Sequence, residues 1–160
     1  MGEVSEFSMG MRLFLKAYPW RRIDTVPCAP MRKPLAASRL AIITTAALHL
    51  ADQPPFDERI KGGDTSYRVI PADADVAALR ESHRSDTFDH EGIRADPNLA
   101  LPLDRVRELV AEHRVGTLAP RNLSFMGSIT APGRLVNASA PEAARLLVED
   151  GVNAALLVPV

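Results

Sequence analysis

Residues 151–160, GVNAALLVPV, decide the fold. A turn glycine, Gly151, opens a short apolar run, the pattern of a buried parallel strand. In open α/β sheets, ligands and catalytic groups sit just beyond the carboxyl ends of such strands. The expectation is therefore that an active-site residue follows this strand, and that the 160-residue chain is a truncated product.

Upstream, Ser139, Pro141 and Glu142 form an S-x-x-E capping box with proline in the first turn. It predicts a helix over 141–150 that presents Ala144, Leu147 and Val148 on one face and stops at Gly151. Helix, glycine and apolar strand make half of a βαβ unit. Residues 40–45, LAIITT, are β-branched and apolar, and read as a central strand, with 46–57 as the loop leaving it. Lys61-Gly62-Gly63-Asp64 is a turn, and 67–70 (YRVI) is a second strand closed by Pro71. Residues 73–85 are mixed, and 86–97 form a polar, acidic loop. The spacing of Leu103, Val106, Leu109 and Val110 predicts an amphipathic helix over 102–114, with Asp104 suiting its dipole and Gly116 ending it. Residues 117–119 read as a short strand. At the other end, Phe7, Met11, Phe14, Leu15 and Tyr18 predict an amphipathic helix over 5–18, stopped by Pro19. A proline-rich basic connector follows over 20–34. The chain is thus expected to comprise an N-terminal helix and connector (1–38) and part of an α/β domain (39–160). The latter should hold a mostly parallel, Rossmann-like sheet with flanking helices, incomplete at its C-terminus.

Hydrophobic residues make up 46% and charged residues 24%, ordinary for a globular protein. A net charge of −1 gives no electrostatic reason to expect nucleic acid or an anionic membrane as partner. No apolar stretch reaches the ~18–20 residues needed to span a bilayer. The N-terminus lacks the plan of a secretory signal. A single cysteine, Cys28, excludes an intrachain disulfide and a cysteine metal cluster, which fits a cytoplasmic location.

Four histidines are present. His113 falls in the last turn of a charged helix and reads as structural. His49 lies at the exit of the first strand, a position suited to a ligand. His83, Asp86, Asp89 and His90 gather imidazole and carboxylate within eight residues, a group able to pair an acid with a base or to bind a divalent ion. Their spacing matches no zinc pattern, and no metal is expected. Residues 124–134, SFMGSITAPGR, combine hydroxyls, glycines and Arg134. Glycine lets backbone approach a ligand closely, and arginine can clamp a carboxylate. The stretch is neither a Walker A loop nor GxGxxG, and no nucleophile elbow is visible.

Four stretches carry a resemblance: 40–71, 96–109, 123–135 (LSFMGSITAPGRL) and 141–160 (PEAARLLVEDGVNAALLVPV). Together the chain, from about Phe14 onward, resembles the selenoprotein B component of glycine, sarcosine, betaine and D-proline reductases. The resemblance implies that a redox-active selenocysteine or cysteine directly follows the LLVPV strand, with a cysteine a few residues on. Selenocysteine is encoded by UGA, which is ordinarily read as a stop. The implied chemistry is reductive cleavage of a C–N bond in an amino acid or amine derivative. A pyruvoyl group on a partner subunit holds the amine, a selenolate attacks the α-carbon, and a thioredoxin-like dithiol regenerates the pair, so that a disulfide is the acceptor.

The same resemblance makes His49, Asp57, Arg68, His83, Asp89, Ser124 and Arg134 the pocket candidates. Arg134 or Arg68 would hold a substrate carboxylate, and His49 or His83 would move a proton. No residue of the chain is the nucleophile: Cys28 lies in the connector, away from the matching strand end. Two other readings stay open at this point. One is a binding or assembly subunit of α/β fold without a nucleophile. The other is a metal-dependent hydrolase using His83, Asp89 and His90.

Overall fold

A computed structural model describes all residues except 1–6, 20, 21, 23, 27, 86 and 87. The chain divides into two compact units, Met1–Pro30 and Met31–Val160. In the first, the expected amphipathic helix is α1, Met9–Ala17. Ser8 caps it by accepting from the Met11 amide, the Phe14 and Tyr18 rings meet at 5.6 Å, and the helix buries no residue. Of the connector expected over 20–34, residues 20, 21, 23 and 27 lie outside those described, and the rest carry no regular element.

In the second unit the strands and helices follow in the order β1 (Arg39–Thr44), β2 (Leu48–His49), β3 (Tyr67–Pro71), β4 (Arg80–Glu81), α2 (His90–Ala95), α3 (Leu103–Ala111), β5 (Thr117–Leu118), β6 (Arg121–Phe125), α4 (Ala140–Glu149) and β7 (Ala154–Val158). β1 is the central strand. β7 pairs with it in parallel along Leu40–Thr44, so β5 and β6 share its other edge, also in parallel. β3 pairs antiparallel with β6, and β2 with β4 make a small antiparallel sheet of their own. The α/β class with a mostly parallel sheet is thus borne out.

Alternation along β1 explains why its sequence is apolar throughout. Leu40 and Ile42 face a core that includes Leu103 and Val106 of α3. Ala41 faces the opposite core, with Leu123, Phe125 and the α4 residues Ala143 and Leu147. A strand covered on both faces has no solvent side to mark with polar residues.

The structure corrects several expectations. β6 lies partly where a loop was expected, because its buried positions include Asn122 and Ser124, which interrupt the apolar pattern. The capping box at Ser139 does not form: Ser139 is itself helical, and a π-turn over Leu135–Ser139 runs straight into α4. Glu142 instead accepts from Tyr67. Ala143 and Leu147 form the buried α4 face, whereas Val148 is 74% exposed. α3 ends earlier than expected. His113 takes φ +59°, and the Arg114 and Val115 amides bond back to the Leu109 carbonyl, a left-handed helix stop. The polar stretch after Ser85 holds the short α2, and the loop after β1 holds β2. Pro71 belongs to β3 rather than closing it. β7 is a strand as expected but is not fully buried: Leu157 is 66% exposed, and no described strand lies along its other edge. Gly151 ends α4 with φ +69°, as the sequence indicates.

Between its β5 and β6 pairings, β1 meets no backbone acceptor for the Ile42 amide. The Asn122 side chain supplies one, its Oδ1 accepting at 2.9 Å while its Nδ2 donates to the Ile70 carbonyl at 3.5 Å. Asn122 is wholly buried. Asn122→Ala strands a buried amide and should cost about 2–3 kcal/mol. A denaturant midpoint within error of the parent chain would refute this role.

Candidate functional site

β1, β6 and β7 run in the same direction, and antiparallel β3 begins opposite the end of β6, with Tyr67 in register with Phe125. The segments after β1, β6 and β7 and the one before β3 therefore meet at one edge of the sheet, where open α/β folds place their ligands.

Two glycines lock this edge. Gly62 and Gly63 take φ +90° and +100°, conformations that L side chains rarely adopt. The Gly62 carbonyl accepts from the Thr130 and Ala131 amides at 2.8 and 3.0 Å. A Cβ on Gly63 would stand 2.6 Å from the Ser128 carbonyl oxygen. The KGGD turn read from the sequence is thus the clasp that holds the 126–134 segment against the loop before β3. On the other flank, the Thr45 hydroxyl accepts from the Val160 amide at 3.0 Å, and the Thr45 amide donates to the Val158 carbonyl at 3.2 Å. Gly127 packs so closely on Thr45 that a Cβ there would lie 3.1 Å from its hydroxyl.

Two cavities open at this edge. The larger, about 750 Å³, is lined among others by Lys61, Asp64, Tyr67, Arg134 and Glu142. The smaller, about 410 Å³, is apolar and is bounded by Ile43, Thr45, Phe125, Ile129, Leu135 and Ala143.

The seven sequence candidates are dispersed. Arg134 is exposed on the rim of the larger cavity, with no hydrogen bond or ion pair among the described residues. Arg68 is next in sequence to the cavity residue Tyr67 but is spent on the fold. Its guanidinium donates to the Pro54, Pro55 and Tyr67 carbonyls and the Ser66 hydroxyl, and sits 4.2 Å from the Phe56 ring centre. Burial lowers its pKa. Ser124 stands in register between Thr44 and Arg68, fully buried, its hydroxyl without a partner. Asp57 is held below the usual carboxylate range by its fork to Arg59. His49 is buried in β2, its Nδ1 2.8 Å from the Leu50 carbonyl oxygen. Asp89 caps α2 by accepting from the Gly92 amide.

His83 is buried, stacked on Phe88 at 4.3 Å, and its Nε2 has no partner among the described residues. Burial pushes its pKa down, so it is neutral. His90 is its opposite. Nδ1 lies 2.9 Å from Glu81 Oε2 and Nε2 lies 3.1 Å from the Ser85 carbonyl oxygen, so both nitrogens face acceptors and both must carry protons. Its pKa is raised, first by the Glu81 bond. Arg94 also reaches Glu81, at 3.3 Å. Of the acid–imidazole group read from the sequence, Asp86 lies outside the described residues. Among those described, no three His, Cys, Asp or Glu side chains converge as metal ligands. Cys28 is exposed in the first unit.

Sequence reading missed Lys61, Asp64, Tyr67 and Glu142 as cavity residues. Asp64 is buried and anchors its loop, accepting from the Asp57 and Ser66 amides and the Ser66 hydroxyl. Burial opposes its charge, yet these bonds and Arg68 hold its pKa below the usual range. Tyr67 donates to Glu142 Oε1 at 3.1 Å, and burial followed by that bond raises its pKa. The glycine pair in the KGGD turn was the one sequence feature that marked this loop.

The fold and this edge define an α/β domain with two cavities formed by loops at the carboxyl ends of its parallel strands. The family model described as glycine/sarcosine/betaine reductase selenoprotein B matches residues 9–160, and the chain belongs to that family. It is 36% identical over 128 residues to D-proline reductase subunit gamma of Acetoanaerobium sticklandii, covering 80% of this chain and 51% of that one. It is 30% identical over 152 residues to sarcosine reductase complex component B subunit beta of Peptoclostridium acidaminophilum, covering 90% of this chain and 33% of that one. The chain thus spans about half the length of the first relative and a third of the second. No solved structure matches. Among the described residues no helix is long and apolar enough to cross a membrane.

The two histidines set opposite pH limits. His90, raised above its ordinary 6.5, contributes stability that is complete below that value and is lost as pH rises through its folded pKa. His83, depressed below 6.5, resists protonation in the fold, so stability falls as pH drops below that value. Thermal melts of His90→Gln across pH 5–9 should lose the alkaline decline and keep the acidic one. An unchanged alkaline limb would refute the doubly donating imidazolium.

Proposed function

We propose that this chain is part of a reductase component that reductively cleaves a C–N bond of an amino acid or amine derivative, the two electrons coming from a dithiol that ends as a disulfide. The observation that carries the reading is the family match across residues 9–160, joined to relatives named for D-proline and sarcosine reduction. The reacting selenocysteine or cysteine of the whole protein lies, in this proposal, directly after Val160, at the carboxyl end of β7. Bound there, it would supply the nucleophilic anion of the reaction.

The local chemistry supports such a group. The Thr45 hydroxyl fixes the backbone at Val160. The apolar cavity beside Thr45 would exclude water from a reacting carbon. Two cations without partners among the described residues, Lys61 and Arg134, share the same sheet edge and favour an anionic nucleophile or substrate. Of the two arginines expected to hold a substrate carboxylate, Arg134 has free donors and Arg68 does not. Of the two histidines expected to move a proton, His83 is neutral with an unengaged Nε2, and His49 already contacts the Leu50 carbonyl. A pyruvoyl group on a partner subunit would hold the substrate amine, and a thioredoxin-like dithiol protein would regenerate the nucleophile, in the cytoplasm.

Peptide mapping and selenium analysis test this on protein expressed from the natural gene, downstream codons included, in selenite medium. A selenocysteine or cysteine is expected at the position after Val160, alkylated by iodoacetamide only after reduction. A mature protein with neither residue in that segment would overturn the proposal and favour a binding or assembly subunit.

A further inference from the structure

β1 and β7 part at their carboxyl ends. Among the described residues, the last main-chain bond between them runs from the Thr45 amide to the Val158 carbonyl, at 3.2 Å. β1 then turns toward β6: Ala46 pairs with Met126, the Ala47 amide donates to the Phe125 carbonyl at 2.8 Å, and Ala47 takes φ +53°. In a regular parallel ladder the Val160 amide would supply the next rung, on the Thr45 carbonyl. That carbonyl lies against Gly127 instead, so closely that a Cβ there would stand 3.1 Å from its oxygen. The Thr45 side chain bridges the gap. Its hydroxyl accepts from the Val160 amide at 3.0 Å and donates to the Val160 carbonyl at 3.4 Å.

The neighbouring threonine has a different task. Thr44 is wholly buried, and its hydroxyl accepts from the Ala46 amide at 3.2 Å, a bond within its own turn. Thr45 is half-buried and Val160 is 45% exposed, so water would satisfy the Val160 groups if the hydroxyl were removed. The two bonds therefore add little to stability; what they supply is direction. The amide and the carbonyl of one residue belong to the two peptide planes that meet at its Cα, joined by two soft dihedrals. A single hydroxyl bonded to both restricts φ and ψ of Val160, and with them the course of the chain beyond it. Pro159 stiffens the approach, its ring fixing its own φ.

We propose that Thr45 is a positioning residue, whose paired bonds to Val160 set the direction in which the reacting selenocysteine or cysteine leaves β7. The role rests on the reductase reading, in which that residue directly follows Val160, and deepens it by naming the side chain that orients the nucleophile. Thr45 is well placed for it. Gly127, packed on the Thr45 hydroxyl and carbonyl, belongs to the 126–134 segment that lines both cavities and is clasped by the Gly62 carbonyl. The end of β7 and the walls of the cavities are thus referred to one threonine. A nucleophile must approach its carbon along a narrow line, and a misplacement of about 1 Å can cost a hundred-fold in rate.

The test uses protein expressed from the natural gene, downstream codons included, and two variants of opposite kind. Thr45→Val keeps the shape and loses the hydroxyl; Thr45→Ser keeps the hydroxyl and loses the methyl group. Hydrogen exchange at the Val160 amide should be slow in the parent and in Thr45→Ser, and on the order of ten-fold faster in Thr45→Val, with melting temperatures within error of the parent. The apparent pKa for iodoacetamide alkylation of the reduced chalcogen should rise by about half a unit to one unit in Thr45→Val, as the anion turns from the edge that carries Lys61 and Arg134. In the assembled enzyme Thr45→Val should lower kcat roughly ten-fold with KM little changed, and Thr45→Ser should recover most of that loss. Equal Val160 exchange in the parent and Thr45→Val overturns the role, as do an alkylation profile and kcat unmoved by Thr45→Val; either result spares the reductase. A loss shared by Thr45→Ser but escaped by Thr45→Val also overturns it, marking the methyl group as mere packing. The reductase reading fails on a separate result: no selenocysteine or cysteine alkylated after Val160, whatever the exchange at its amide.

Discussion

The Ile42 amide organises the sheet. β1 is flanked by β7 along its whole length, but on its other side the chain must pass from β5 to β6 through Ala119 and Pro120. The Pro120 carbonyl there accepts from the Ala72 amide instead, and the ladder is broken. The buried Asn122 side chain repairs it with one acceptor for Ile42 and one donor toward Ile70 of β3. One amide group thereby ties three strands, and the register it sets places Ser124 beside Thr44 and Phe125 beside Tyr67. Everything at the carboxyl edge inherits its position from that register, since a one-residue slip in a strand reverses every side chain.

The edge itself is made of backbone more than of side chains. The Gly62 carbonyl gathers two amides, and Gly127 lets the chain pass against Thr45. These contacts need the absence of a Cβ, so they bring loops closer together than ordinary residues permit. Long side chains can then project from a fixed frame. Arg68 illustrates the opposite use of a cation: its donors are consumed by carbonyls of the Pro54–Pro55 turn, which it pins over the sheet. A sequence lists Arg68 and Arg134 alike; only the fold separates the one that builds the site from the one left free to bind.

What the sequence made legible follows the same division. β1, α3 and the turn at Gly151 are visible because burial and turn geometry leave their marks on residue type, and β7 because its run is apolar although its residues are exposed or half-buried. β6 is hidden because a strand that repairs a ladder with Asn122 and buries Ser124 does not look apolar. The capping box at Ser139 misleads because an added π-turn carries the helix through the position where it would begin, leaving Glu142 free to meet Tyr67. For the site, the conspicuous His83–His90 region is largely occupied with itself: Asp89 caps α2, and His90 bridges Glu81 and Ser85. The cavity cation Lys61 went unmarked because an exposed lysine beside a glycine turn has the composition of any surface loop.

Placing binding groups on loops and structural groups on strands has an electrostatic logic. An arginine half-buried in the sheet loses hydration and must be compensated locally, as Arg68 is by four hydrogen-bonding oxygens and by the Asp64 carboxylate 4.0 Å away. Lys61 and Arg134 avoid that cost by staying in water, and their attraction for an anion is correspondingly screened. Affinity from such a pair alone is modest and falls with salt. The exposed charges at this edge therefore stay in water, and the buried residues behind them hold its backbone frame.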